Sequence, residues 1–292
     1  MVHYLRHSEI DFQKWDQCLQ QSTNGLIYAY SFYLNVACPG WNALVWNDYE
    51  AVMPLPVKKK YGIPYIYTPF FIQQLGVFSP KETSIIHFIN AIPPQFKLVE
   101  YNLNWANKQL YPELPSWVTH HLSLNRPFEE ISAQFDRTLK NNLKKADIVP
   151  LRLEKNQSIQ SVINLFREDK GKELNHLKNQ DYKRLENLVE VCEQQQQACV
   201  WGVWDGSNLV AGALFVWSNK HYIFLFSGNT QRGKETGALP YLLARFIQEH
   251  SESDSIFDFE GSNQPGLARF YKSFGSTRVE YPRYERRRFP LF

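Results

Sequence analysis

The 292-residue chain sets 32 Lys and Arg against 29 Asp and Glu, a net charge of +3, with 43% hydrophobic and 21% charged residues. That balance excludes a disordered chain, and the charge excess is too small to imply nucleic-acid binding by itself. Four cysteines without CxxC spacing and an N-terminus without an apolar segment predict a reduced, cytoplasmic protein, and no apolar run is long enough to span a bilayer.

Taken in chain order, the periodicity predicts a strand over 3–5 and a helix over 11–21. A hairpin follows over 42–46 and 51–57, turning at Asn47-Asp48. Then come a strand over 65–68, a helix over 82–91 and a strand over 97–102. A basic helix over 131–146 crosses to the second half. There a strand over 149–153 precedes helices within 158–196 and a hairpin over 199–204 and 209–216, turning at Asp205-Gly206-Ser207. A strand over 222–227, a helix over 239–250 and a strand over 255–260 complete the order. Aromatics reach 15% and cluster in strand-like runs such as Tyr222-Ile223-Phe224, which fits sheet cores. Tyr28, Tyr30, Phe32 and Tyr33 are candidates to line a cleft in the first half, although core packing is the better account of most of them.

The two halves repeat. Trp46 and Trp204 lie 158 positions apart in similar hairpins, and the same offset relates Phe88-Ile89 to Phe246-Ile247 and Val99-Glu100 to Phe257-Asp258. Three matches at one offset argue for a duplicated fold. The expected organisation is a first domain over 1–128, a crossover helix over 129–148 and a second domain over 149–292.

The segment from Ser227 to Ala238 is the first candidate site. A strand enters it and a helix leaves it, and glycines with Arg232 and Lys234 offer backbone amides and charge to an anion. Gly228-x-x-x-x-Gly233-Lys234 approaches a nucleotide-binding P-loop, but Glu235 stands where Mg²⁺ needs Ser or Thr. His120 and His121 lack metal-ligand spacing, so no metal is expected, and no GxSxG elbow supports a hydrolase.

Gln231-Arg232-Gly233 with Gly237-Ala238 loosely resembles the pyrophosphate loop of the GNAT superfamily of acyltransferases. The run Phe257-Asp258-Phe259-Glu260-Gly261-Ser262, followed by Gly266-Leu267-Ala268-Arg269-Phe270-Tyr271-Lys272-Ser273-Phe274-Gly275, closely resembles the C-terminal signature of the FemAB/FemX-like transferases. Arg137-Thr138-Leu139-Lys140 with Lys144-Lys145-Ala146 is similar to that family's mid-chain basic segment. The resemblance implies two tandem GNAT-like domains, each an α/β (α+β) mixed sheet flanked by helices. It implies transfer of an acyl group from an acyl-CoA thioester to a small-molecule or peptide amine. The alternatives are a Fem-type aminoacyltransferase using aminoacyl-tRNA, which the Arg-rich C-terminus would suit, and a binding protein that has lost its chemistry. Lys272 lies one position beyond the lysine of the aminoacyl transferases, and Tyr271 fits a GNAT tyrosine that protonates the departing thiolate. Asp258 is taken as the carboxylate that polarises the acceptor. The donor is assigned to Gln231, Arg232, Gly233, Lys234, Thr236, Gly237 and Ala238, and acceptor contacts to Arg137, Lys144 and Lys145.

Overall fold

The computed structural model describes residues 1–110, 113–169, 171, 177–261 and 263–288. Part of the predicted 158–196 helical stretch, and Ser262 of the signature, lie outside these residues. The chain forms two compact units, one from 1–118 with 279–292 and one from 119–278. The division therefore falls at 118/119 and 278/279 rather than at 128 and 148, and the basic helix belongs to the second unit.

In the first unit, β1 (Val2–Leu5) precedes α1 (Phe12–Gln21), whose first amides are capped by Asp11 accepting from Gln13 and Lys14. Next come α2 (Ser31–Ala37), β2 (Asn42–Trp46), β3 (Ala51–Leu55), β4 (Val57–Lys60), β5 (Ile63–Ile66), α3 (Ile85–Ala91) and β6 (Leu98–Asn102). β1, β2 and β3 pair antiparallel. The predicted single strand over 51–57 is broken by Pro56, which has no amide to donate to a ladder. β4 pairs antiparallel with β5, and β5 is parallel to β6 at Ile66 and Val99. Trp15 and Trp41, 4.7 Å apart, anchor the core together with Tyr28 and Tyr33. Tyr28, Tyr30 and Tyr33 are therefore core residues.

The second unit takes the inner end of β7 (Ser116–Ser123), then α4 (Phe128–Ala133), α5 (Arg137–Ile148), β8 (Leu151–Lys155), α6 (Ile159–Glu168), α7 (Asn179–Gln194), β9 (Ala198–Asp205) and β10 (Asn208–Ser218). β11 (His221–Asn229), α8 (Gln231–Thr236), α9 (Ala238–His250), β12 (Ile256–Asp258) and α10 (Pro265–Lys272) follow. The expected helix over 131–146 is two helices, because Asp136 accepts from the Leu139 amide at 2.7 Å and starts α5 afresh. The sheet order is β8-β9-β10-β11-β12-β7, with β11 and β12 parallel and the other pairs antiparallel. Its core centres on Phe215 and Phe246, stacked at 3.7 Å, with Trp201 and Phe257 against them.

Two strands absent from the sequence reading complete the sheets. β7 follows β6 in the chain, yet its inner end pairs with β12 in the second unit. The last strand, β13 (Thr277–Arg287), pairs with β6 in the first. No helix among the described residues is long and apolar enough to cross a membrane.

Candidate functional site

β11 pairs with β12 only at His221, Tyr222 and Ile223, while its ladder to β10 continues to Asn229. Beyond Ile223 the two parallel strands part. Backbone groups of residues 224–229 that would have bonded to β12 are left facing the gap. That opening is a cavity of about 530 Å³ lined by residues 224–229 and by Phe259, Glu260, Gly261 and Tyr271. Phe166 and Asp169 from the end of α6, and Lys234 and Leu239, close the other side.

Glycine makes this geometry feasible. A Cβ at Gly228 would lie 2.6–2.7 Å from the Val162 carbonyl oxygen, Leu165 Cβ and the Phe166 amide, so α6 sits directly on the strand. Phe166 then packs at a tilt against Phe226 at 4.7 Å, and Phe259 stacks on Tyr271 at 5.1 Å, giving the cavity aromatic walls.

Glu260 and Asp169 are the carboxylates among the residues lining the cavity, and Asp169 is paired with Lys234. The backbone of Glu260 is left-handed, φ +55°, a conformation that an ordinary side chain adopts at a cost of order 1–3 kcal/mol. Its amide donates to Asp258 Oδ1 at 2.9 Å, which holds the reversal. Burial pushes the Glu260 carboxyl well above its ordinary value. Burial likewise raises the Tyr271 phenol, with Glu260 and Asp258 adding to the shift.

Asp258 itself is 2% exposed and does not line the cavity. Its Oδ1 accepts from the Thr119 hydroxyl and the Glu260 amide, and its Oδ2 faces Nε2 of His121 at 3.2 Å and of His221 at 3.3 Å. Burial alone would raise this carboxyl, but the two imidazoles and their hydrogen bonds hold it well below the usual carboxylate range. Burial also keeps His221 below its ordinary value. The three side chains come from β7, β11 and β12, and their ligand atoms lie within 4.8 Å of one another. The cluster ties three strands together immediately before β11 and β12 diverge.

The predicted glycine-rich loop is mostly helix. β11 extends to Asn229, and the Thr230 hydroxyl accepts from the Gly233 amide to begin α8. Gly237, at φ +72°, turns the chain into α9 and packs on the Asn142 carbonyl of α5, while Gly233 packs on the Val210 carbonyl. These glycines serve helix packing. Gly233, Thr236, Gly237 and Ala238 are buried, and the Thr236 hydroxyl donates to the Arg232 carbonyl at 2.9 Å. Gln231 donates to Glu235. Arg232 pairs with Asp205 at 2.7 Å and Lys234 with Asp169 at 2.7 Å. Of the assigned donor residues, Lys234 lines the cavity, and Leu239 brings the first turn of α9 to it.

Arg137, Lys144 and Lys145 are exposed on α5 and Lys272 is exposed on α10; none lines the cavity. The C-terminal arginines are largely occupied within the first unit. Arg286 reaches the carbonyls of Ile92, Pro93 and Phe96, Arg287 pairs with Glu100, and Arg283 pairs with Glu285. Glu260, Asp169 and Phe166 escaped the sequence reading. The one available signal was a Glu-Gly pair directly after a strand, where a chain reversal is favoured.

Comparison of the sequence with family models and with curated proteins gives no match. Comparison of the structure does. FemX superposes with a TM-score of 0.65 at 12% identity, covering 96% of each chain. L-PGS from Bacillus licheniformis gives 0.55 at 12% identity, covering 95% of this chain and 91% of that one. A tandem GNAT protein from the clavulanic acid biosynthesis pathway gives 0.54 at 12% identity, covering 98% of each. The chain has the tandem GNAT-like fold of these proteins.

Proposed function

We propose that the chain is an acyltransferase that moves an acyl group onto an amine within the cavity of the second unit. The observation that carries this reading is the parting of β11 and β12, which opens strand-edge backbone toward a carboxylate and a phenol. An extended acyl donor would lie along residues 224–229 as an added strand, bonding to the freed backbone groups. A backbone amide on that edge would also stabilise the oxyanion that forms when the acyl carbonyl is attacked. Glu260 takes the proton from the attacking amine. Its raised pKa makes it a stronger base than an ordinary glutamate, and it lines the cavity. The tetrahedral adduct then collapses, the bond to the leaving atom breaks, and that atom takes up the proton that Glu260 removed from the amine, which restores the carboxylate.

Tyr271 faces the same space, but its raised pKa disfavours full proton transfer to a thiolate. Its role is to donate a hydrogen bond to the leaving atom. In place of Asp258 as the polarising group, Glu260 is the residue that reaches the acceptor, and Asp258 positions it through the 2.9 Å bond to its amide.

The donor we favour is an acyl-CoA thioester. Supporting it, the first turn of α9 borders the cavity and a like-folded protein is described with reference to AcCoA. A bound pyrophosphate would have to draw Lys234 from Asp169. The acceptor is an amine with apolar flanks, suited to walls of Phe166, Phe226 and Phe259.

Calorimetric titration with acetyl-CoA and longer acyl-CoAs tests the reading, with Lys234→Ala as the partner variant. Saturable binding weakened in the variant supports it. Absence of binding to every thioester removes CoA as the donor.

A further inference from the structure

β4 and β5 meet in a two-residue turn, with Lys60 opposite Ile63 and Tyr61-Gly62 between them. Both turn residues have positive φ, +51° for Tyr61 and +79° for Gly62. Such a turn suits Asn-Gly, and a bulky aromatic at its first position is strained. Strain of this kind persists where the surroundings reward it, yet Tyr61 is 92% exposed, and the Lys60 ammonium 5.8 Å from its ring centroid is a weak surface contact. Beside it stand Lys58, Lys59 and Lys60 on an edge strand, and Ile63, which is 38% exposed. Lysines on an edge strand also discourage edge-to-edge aggregation, but that role explains neither the tyrosine nor the isoleucine.

We propose that the β4–β5 hairpin docks the first unit on an anionic lipid surface, its lysines meeting the headgroups while Tyr61 and Ile63 enter the interface. Tyrosine is favoured at the boundary between headgroups and hydrocarbon, and lysine stems lie along apolar surface with their charge in water. An aliphatic side chain gains from hydrocarbon and little from a nucleic acid, which favours lipid over RNA as the partner. This docking is independent of the transferase chemistry in the second unit.

The test is co-sedimentation of the full chain with vesicles of phosphatidylcholine alone and of phosphatidylcholine with phosphatidylglycerol. Three lysines near the surface should give binding to the anionic vesicles tighter by up to about 100-fold, weakening as salt is raised. Lys58→Glu with Lys59→Glu should abolish the preference. Tyr61→Asn separates docking from structure, because it places Asn-Gly in the turn. The variant should match or exceed the parent in Tm yet bind anionic vesicles several-fold more weakly. Equal binding to both vesicle types, unchanged binding by the variants, or a preference of the hairpin for RNA over anionic vesicles would overturn the proposal.

Discussion

The two units part their parallel strands at corresponding places and treat the gap in opposite ways. In the second unit, β11 runs on past β12 and the gap stays open as the cavity. In the first, the gap beyond β5 and β6 is filled by the chain itself. Leu75 forms a parallel bridge with Leu103 and donates to the Asn102 carbonyl at 3.0 Å, while Val52 and Phe78 exchange two hydrogen bonds of 2.9 Å. Behind it, Pro56 separates β3 from β4, whereas the matching position of β10, near Leu214, carries only a register shift within an unbroken strand. The duplicated fold thus keeps the opening in its second unit, while the corresponding place in the first is filled by the chain. Strand parting supplies a potential site in each half, and the segment that follows the strand decides whether it survives.

The comparison can be tested hardest at Glu260. Glu260→Gln should lower kcat by roughly 10²- to 10⁴-fold while leaving donor affinity intact, because only the proton acceptor is lost. In the parent enzyme the rate should rise as pH passes through the raised Glu260 value, and the variant should lack that limb. An unchanged kcat would move the base elsewhere.

Next in size is Asp258→Asn, which leaves His121, His221 and Thr119 facing an amide in a closed site. We expect a loss of about 3–5 kcal/mol in urea unfolding, because hydrogen bonds to a buried carboxylate, each worth about 1.5–3 kcal/mol, are lost together. The parent should also weaken on acidification. His221 is held below its reference value of 6.5, so below that pH the unfolded chain binds the extra proton and stability falls. The Asp258 contribution persists to lower pH and is lost only below its reference value of 3.8.

These two carboxylates show how much of the site the sequence made legible. The signature residues located a strand end and a helix that border the cavity, and Tyr271 lines it. Choosing between Asp258 and Glu260 required knowing that β12 stops at Asp258 and that the chain reverses left-handed at Glu260, which no periodicity encodes. The fold was read well wherever apolar residues run together between turn residues, as in β9, β10 and β11. β7 and β13 were missed because so many of their residues are polar, Thr119, His120 and His121 in the one and Arg283, Glu285, Arg286 and Arg287 in the other. Thr119, His120 and His121 look like a loop until Asp258 is set beside them, and Arg283, Arg286 and Arg287 look like a phosphate patch until β6 is. Gly233 and Gly237 pose a related ambiguity. Close helix packing and anion binding select the same residue, and sequence alone does not distinguish them.

On the other side of the comparison, Leu75→Ala should remove about 2–5 kcal/mol of stability, since Leu75 is fully buried in the filled gap. Activity per folded molecule should stay at the parent level, measured below the transition. A selective fall in kcat would mean that the filled gap takes part in catalysis after all. The smallest effect is expected from Tyr271→Phe. Loss of one hydrogen bond to the leaving atom should lower kcat by about tenfold, equivalent to about 1.4 kcal/mol. An unaltered Tm would confirm that the ring, and not the hydroxyl, supports the core.

The placement of β13 bears on how this protein comes off the ribosome. The first unit has its helices and most of its strands once residue 118 is made, yet the edge of β6 away from β5 has no partner until residues 283–287 arrive to pair with residues 98–102. Synthesis at about 5–20 residues per second leaves that edge open for about ten seconds or more while the whole second unit is translated. The N-terminal half therefore cannot finish first, as domains in a row usually do. A nascent chain stalled before residue 279 should be sensitive to protease in its N-terminal half, and release of the last strand should protect both halves together.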